Sequence, residues 1–348
     1  MKVKMVSGKK FRKIWFFFLL LGIILLIKYL ILISDDNASC GDGTFYNECS
    51  LNKPYYCFEG KLVENSEVCG CPKGFAIEKN SCVSDYQTNP KKISLRYVLD
   101  GTEKEIDFIA YDGVKKHASE IPRIIGYENG ESLSRSDFKM KAINDNLSRE
   151  FILPLVKDIQ NITNDKDVQA MIAVSLVQNL EWGFSNETYS FFGQKVNHSR
   201  YPYEVLYEEK GICGEKSLLL AMILKELGFG TAIFYNNDEN HETVGIKCPL
   251  MESWHYSGYC FVETSGSAII TDDKLAYSGG IILDSKPEVI VISDGISLSR
   301  WLDFYHDADE IKELRKKMAS GKELNPFEEK KFKEIKNKYG LDGEYNLD

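Results

Sequence analysis

The order of elements predicts an α+β fold, led by a membrane-spanning helix and a small disulfide-rich module. Three observations carry this. Helical patterns come first and alternating strand patterns later, rather than in βαβ alternation. A long apolar run follows a basic N-terminus, and six of the nine cysteines lie between Cys40 and Cys82.

The first 13 residues carry Lys2, Lys4, Lys9, Lys10, Arg12 and Lys13 and no acid. Ile14–Ile33 follows, with Lys28 as its only charge, and then Asp35 and Asp36. About twenty helical residues at ~1.5 Å each span ~30 Å, the thickness of a bilayer core. Basic residues before the run and acids after it predict residues 1–13 as a cytoplasmic tail and everything beyond as extracytoplasmic. Lys28 lies near the outer end, where its stem can snorkel. The rival reading is a cleaved signal peptide, for which the run is long and lacks an A-x-A-like site.

Residues 40–82 read as a module too small to fold on its core alone, stapled by disulfides among Cys40, Cys49, Cys57, Cys69, Cys71 and Cys82. Zinc is the rival. Cys69-Gly70-Cys71 is not the C-x2-C spacing, and the module has no His. The wording from Cys40-Gly41-Asp42-Gly43 to Cys69-Gly70-Cys71-Pro72 resembles small Cys-rich repeats of archaeal surface proteins, which implies a stalk or binding role. Asn37, Asn146, Asn161, Asn186 and Asn197 are N-x-[ST] sequons.

Residues 93–136 form a lead-in. The alternating runs Ile93–Leu99 and Glu105–Tyr111 flank Asp100-Gly101 and predict a hairpin. A polar stretch runs on to Ser136. The core spans 137–295. Ile152, Leu155, Val156 and Ile159 make one helical stripe, and Val168–Trp182 is a second helix. A third helix, Cys213–Leu227, ends at Gly228; Ser217–Leu227 is apolar almost all round, hence central. Strand-like runs follow at Thr231–Tyr235, Glu242–Lys247, Tyr259–Glu263, Gly280–Leu283 and Val289–Ile292. Residues 296–348 are charged and helical, with a break near Gly321 and Pro326; the Lys/Glu-rich stretch reads as a solvated helical hairpin.

Cys213 opens the central helix between Gly211 and Gly214. A thiol attacks a carbonyl as thiolate, and a helix N-terminus with a neighbouring imidazolium favours that form. Free backbone N–H groups at such a turn suit an oxyanion. His241, at the head of a strand, is the base. Glu263, at the end of another, orients it. Antiparallel pairing of 241 with 263 puts both on one sheet face. Gln178 is a possible oxyanion donor, against the reading of an ordinary helix Gln. Lys216 is expected to pair with an acid near the helix start. The aromatics of Trp182–Phe192 are read as packing or as a cleft wall. His117, His198, His255 and His306 are read as surface or loop residues.

Gly211-Ile212-Cys213-Gly214-Glu215-Lys216-Ser217, Asn240-His241-Glu242-Thr243 and Phe261-Val262-Glu263-Thr264 together resemble the transglutaminase-like core, closest to archaeal membrane-anchored members. The resemblance covers roughly 93–292. It implies a papain-like arrangement, with the nucleophile helix packed on an antiparallel sheet, and thiol acyl chemistry on a protein or peptide substrate. Glu263-Thr264 stands where the commoner pattern has Asp-Pro-Thr.

Cys248 and Cys260 share strand parity, but pairing 241 with 263 sets 248 opposite 256. A bridge then needs the chain to flare after Lys247, near Pro249; without it both stay free thiols. With six cysteines able to pair in the module and Cys248 near Cys260 in sequence, Cys213 is the ninth, left over. The net charge of −9 excludes a nucleic-acid binder with a basic face. There is no nucleotide loop and no metal-ligand cluster, so no cofactor is implied. The alternative to an enzyme is a catalytically silent surface protein that binds or adheres.

Overall fold

The computed structural model describes residues 19, 22–23, 38–125, 133–191, 193–274 and 282–341. In the N-terminal module the six clustered cysteines pair as Cys40–Cys57, Cys49–Cys69 and Cys71–Cys82. The bridges hold two hairpins, β1 (Tyr55–Phe58) with β2 (Lys61–Glu64) and β3 (Ala76–Glu78) with β4 (Ser81–Val83), and the short helix α1 (Ser66–Cys69). Its own core is Cys40, Tyr55, Cys57 and Leu62, so cross-links must restrain the unfolded chain where apolar burial cannot.

A long hairpin follows. β5 (Pro90–Leu99) pairs with β6 (Thr102–Tyr111) in strict register around Asp100-Gly101, both at positive φ. Such a turn matches the right-handed twist of its strands, which is why Asp-Gly announces it. Ile93, Leu95, Tyr97, Ile106, Phe108 and Ala110 face the core. The polar lead-in contains one helix that patterning does not show, α2 (Asp112–Glu120), which buries only Val114 and Ala118.

Next come α3 (Arg135–Ile143), α4 (Asn146–Ile162), α5 (Lys166–Gln178), the two-residue β7 (Glu181–Trp182), and the hairpin β8 (Thr188–Phe191) with β9 (Gln194–Asn197). Asp145 and Asp165 cap α4 and α5 through their side chains. The expected second helix thus ends at Gln178, not Trp182, because Glu181–Trp182 leaves to pair in parallel with β10 (Lys210–Gly211). Between them lies α6 (Pro202–Glu208).

The central helix is α7 (Cys213–Glu226); Glu215 to Leu224 are all buried, and Gly228 at positive φ ends it. It packs on an antiparallel sheet of order β13-β12-β11-β14, formed by β11 (Thr231–Asn236), β12 (His241–Lys247), β13 (Tyr259–Val262) and β14 (Glu288–Ser293). Val244, Ile246, Cys260 and Val262 join the main core with α7. Phe234, Trp254 and Phe261 form a second cluster with Ala268 and Leu283. Of the run expected at Gly280–Leu283, residues 280–281 lie outside the described residues and 282–283 are not strand. The chain closes with α8 (Asp303–Ala319) and α9 (Pro326–Tyr339), broken at Gly321 and restarted by Pro326 at the helix start.

The module is fastened to this body. The Asn161 side chain accepts from the Leu62 N–H at 2.8 Å and donates to its carbonyl at 3.0 Å. Gln169 donates to the Gly41 carbonyl at 2.9 Å. A Cβ on Gly41 would stand 2.1 Å from the Gln160 carbonyl oxygen, so only glycine allows this approach.

The α+β order stands, but the expected membrane span requires correction. Among the described residues no helix is long and apolar enough to cross a membrane. The longest, α4 and α8, have 17 residues and carry charged faces, because each buries one side on the core and wets the other. Ile14–Ile33 falls outside the described residues except Leu19, Gly22 and Ile23. The single-pass, N-inside localisation loses its structural basis with it. Four disulfides remain, a chemistry of oxidising compartments.

Candidate active site

Cys213 is the first residue of α7, half-buried, and the only free cysteine of the nine. Its position is set by a buried ion pair. Glu215, in the first turn, accepts from the Ile212 N–H at 3.1 Å, from the Arg200 N–H at 2.8 Å and from the Arg200 guanidinium at 2.7 Å. Arg200, 1% exposed, also donates to Glu208 and to the Gly183 carbonyl. A carboxylate at a helix N-terminus is favoured by the helix dipole, and its hydrogen bonds fix where the turn begins. By helix geometry the Cys213 and Gly214 N–H groups have no intrahelical acceptor. A Cβ on Gly214 would meet a Glu242 carboxylate oxygen at 2.6 Å; that carboxylate pairs with Lys139 beside the turn.

His241 begins β12, directly after the turn that ends at Asn240. Glu263 follows the last residue of β13. The ladder pairs Val244 with Val262 and Ile246 with Cys260. Continued outward, it sets Glu263 opposite Thr243 and His241 one step further. The expected direct pairing of 241 with 263 is therefore off by two residues. A two-residue offset keeps side-chain parity, so the two residues become diagonal neighbours on one face. Their side chains meet, with His241 Nε2 3.0 Å from Glu263 Oε2. The His241 ring also hydrogen-bonds the Cys213 side chain.

Glu263 is fully buried. Its second oxygen accepts from the Thr264 N–H at 2.9 Å, the Ser265 N–H at 2.7 Å and the Ser265 hydroxyl. Burial alone would raise its pKa, but the His241 contact and the Ser265 donors outweigh it and hold the carboxyl below its ordinary range. Burial likewise opposes charge on His241, but hydrogen bonds to Cys213 and Glu263 and the Glu263 charge lift it from 6.5 to about 10. Both directions agree on an imidazolium–carboxylate pair.

Thr264 ties the acid strand to the helix start. Its hydroxyl donates to the Cys213 carbonyl at 3.3 Å and shares a 2.9 Å hydrogen bond with Ser217.

No family model, curated protein or solved structure matches the chain.

Two expected roles change. Gln178 gives both side-chain amide hydrogens to carbonyls, Glu263 at 2.9 Å and Ala268 at 3.0 Å. None is left for an oxyanion, so Gln178 is a positioning group that pins the chain around the acid. Lys216 is fully buried and donates to the carbonyls of Gln178 and Leu180 rather than to an acid. Glu215, the acid in the first turn of the helix, is taken by Arg200. Burial pushes the Lys216 ammonium down to about 8, against the pull of Glu263. Sequence spacing does not reveal Arg200, Ser265 or Thr264; a buried Arg beside an N3 Glu is legible only as a weak capping signal.

His198, read as a surface or loop residue, lies half-buried in the loop after β9, 2.6 Å from the fully buried Glu204, which Arg123 also contacts. Among the described residues one group, His306, Asp307 and Glu310, has metal-donor spacing. Lys331 and Lys338 already hold its carboxylates, at 3.3 Å from Glu310 and 2.8 Å from Asp307.

Proposed function

We propose that the chain is a thiol-dependent enzyme of acyl transfer or amide hydrolysis on a protein or peptide substrate, in the manner of transglutaminase-like enzymes. Cys213 is the nucleophile, His241 the acid/base and Glu263 the orienting acid. The observation that carries this is the hydrogen-bonded chain Cys213–His241–Glu263 in a protein whose other eight cysteines are paired.

His241 holds the thiol proton as an imidazolium that Glu263 stabilises. The sulfur adds to the amide carbonyl, and the first-turn N–H groups of Cys213 and Gly214 face the developing oxyanion. As the C–N bond breaks, His241 passes its proton to the leaving amine, which leaves a thioester on Cys213. Water or an amine then gives up a proton to His241 and displaces the sulfur.

A thiol-reactive peptide library tests this. Wild type should label at Cys213, while Cys213→Ala should not label and His241→Ala should label slowly. If folded wild-type protein leaves Cys213 unlabelled, the silent binding or adhesion reading replaces the enzyme.

A further inference from the structure

Away from Cys213, a cavity of about 260 Å³ opens where the disulfide module meets β6 and α4. Its walls are aromatic: Tyr55, Phe75, Phe108, Tyr111 and Phe151 line it. Phe151 is the hub, with ring centroids 5.4 Å from Phe75 and 5.6 Å from Tyr111. Its rim is acidic, with Glu64, Asp107, Glu150 and Asp158 against the single Lys53. Asp107, Glu150 and Asp158 each have a basic neighbour; Glu64 has no ion pair among the described residues.

One side chain points to an occupant. Tyr55 is 3% exposed and lines the cavity; its hydroxyl has no hydrogen-bond partner among the described residues, and its oxygen is not sealed from the surrounding space. Burial, and then the charges of Glu64, Asp158 and Glu150, push its phenol upward. Tyr55 and all three carboxylates line the cavity. A hydroxyl open to the cavity and free of protein partners offers a ligand an acceptor. Aromatic faces and carboxylates together attract a cation that carries apolar carbons. The ring already draws the chain's own Lys157, whose ammonium stands 5.8 Å from its centroid.

We propose that this cavity binds an organic cation, an alkyl ammonium or guanidinium group, with Glu64 and Asp158 as counterions and the Tyr55 hydroxyl as acceptor. The cation is either a free amine or a basic side chain of a partner. The site is built from both the module and the body, so occupancy also clamps one to the other.

Calorimetric titration of the full chain tests this with n-butylammonium, Nα-acetyl-lysine amide and neutral n-pentanol. The two cations should bind saturably and the alcohol should not. Tighter binding of the lysine derivative assigns a side chain; tighter binding of butylammonium assigns a free amine. Glu64→Gln with Asp158→Asn should weaken the cation by about tenfold or more. Cys213→Ala should leave it unchanged, which separates this site from an amine acceptor at the thiol. In wild-type protein, with no substitution, the cation should shift backbone amide signals of Tyr55, Glu64 and Phe151 but not those of Cys213 and His241. Equal binding of the alcohol, shifts confined to Cys213 and His241, or full affinity in the folded double variant would overturn the assignment.

Discussion

Cys260 lies opposite Ile246 in the sheet, yet it is bridged to Cys248, one ladder step away on the same face. His241 and Glu263, on the same two strands, are displaced by one step in the opposite sense. One register therefore serves both pairs, and the conflict that direct pairing of 241 with 263 created does not arise. The Cys248 N–H donates to the Gly258 carbonyl at 3.1 Å, so the ladder continues instead of flaring.

This makes the bridge a register lock for the candidate site. Closing a loop of this separation is worth about 3 kcal/mol in the chain-entropy model. Cys248→Ser with Cys260→Ser should lower the melting temperature and also slow Cys213 labelling, although neither residue touches the thiol. Unchanged labelling in a folded, destabilised double variant would show that the bridge stabilises without aligning anything.

The His241–Glu263 pair should show in the pH dependence of stability. His241 rises from 6.5 to about 10 on folding, so its contribution is full below 6.5 and is lost as pH rises through about 10. Glu263 is lowered, so its contribution is present above its ordinary 4.5 and is lost as pH falls through the folded value. The urea midpoint of wild type should therefore exceed that of His241→Gln most between these limits, and the gap should close toward alkaline pH. A gap that widens with pH would refute the ion pair.

Lys216 should act with the opposite sign. Its folded pKa lies near 8 and its ordinary value at 10.5, so the unfolded chain holds more protons between them. Stability of wild type relative to Lys216→Met should rise across that window. A flat difference would mean the ammonium is solvated rather than buried against the Gln178 and Leu180 carbonyls.

Asn161 sits in a sequon, but its side-chain amide is spent on Leu62 of the module. Glycan mapping of protein secreted from a glycosylating host should leave Asn161 bare, whereas Asn146, Asn186 and Asn197 are exposed. Full occupancy at Asn161 would mean the module does not dock there in solution.

Much of the fold was legible where one interaction decides one element. Asp100-Gly101 announced the long hairpin, Gly228 ended α7, and the apolar 217–227 stretch marked the central helix. The Cys, His and Glu blocks were legible in order, and they do converge. Register was not, because parity settles which face a residue takes but not its offset along the strand. Helix α2 escaped because it buries just two residues. The roles of Gln178 and Lys216 depend on carbonyls presented from other segments, which no local pattern records. The apolar run at 14–33 speaks to transfer into lipid, and no described helix bears it out.

Cys213 and His241 acting as one unit is the centre of this account, and alkylation kinetics address it most directly. Iodoacetamide should modify Cys213 in the folded, unreduced chain, with the eight paired cysteines left intact. The rate in wild type should exceed that in His241→Ala by about tenfold or more, because His241 takes up the thiol proton as the sulfur attacks. Equal rates in two folded proteins would contradict the account, and Cys213 would then be a half-buried thiol at a helix start and nothing more.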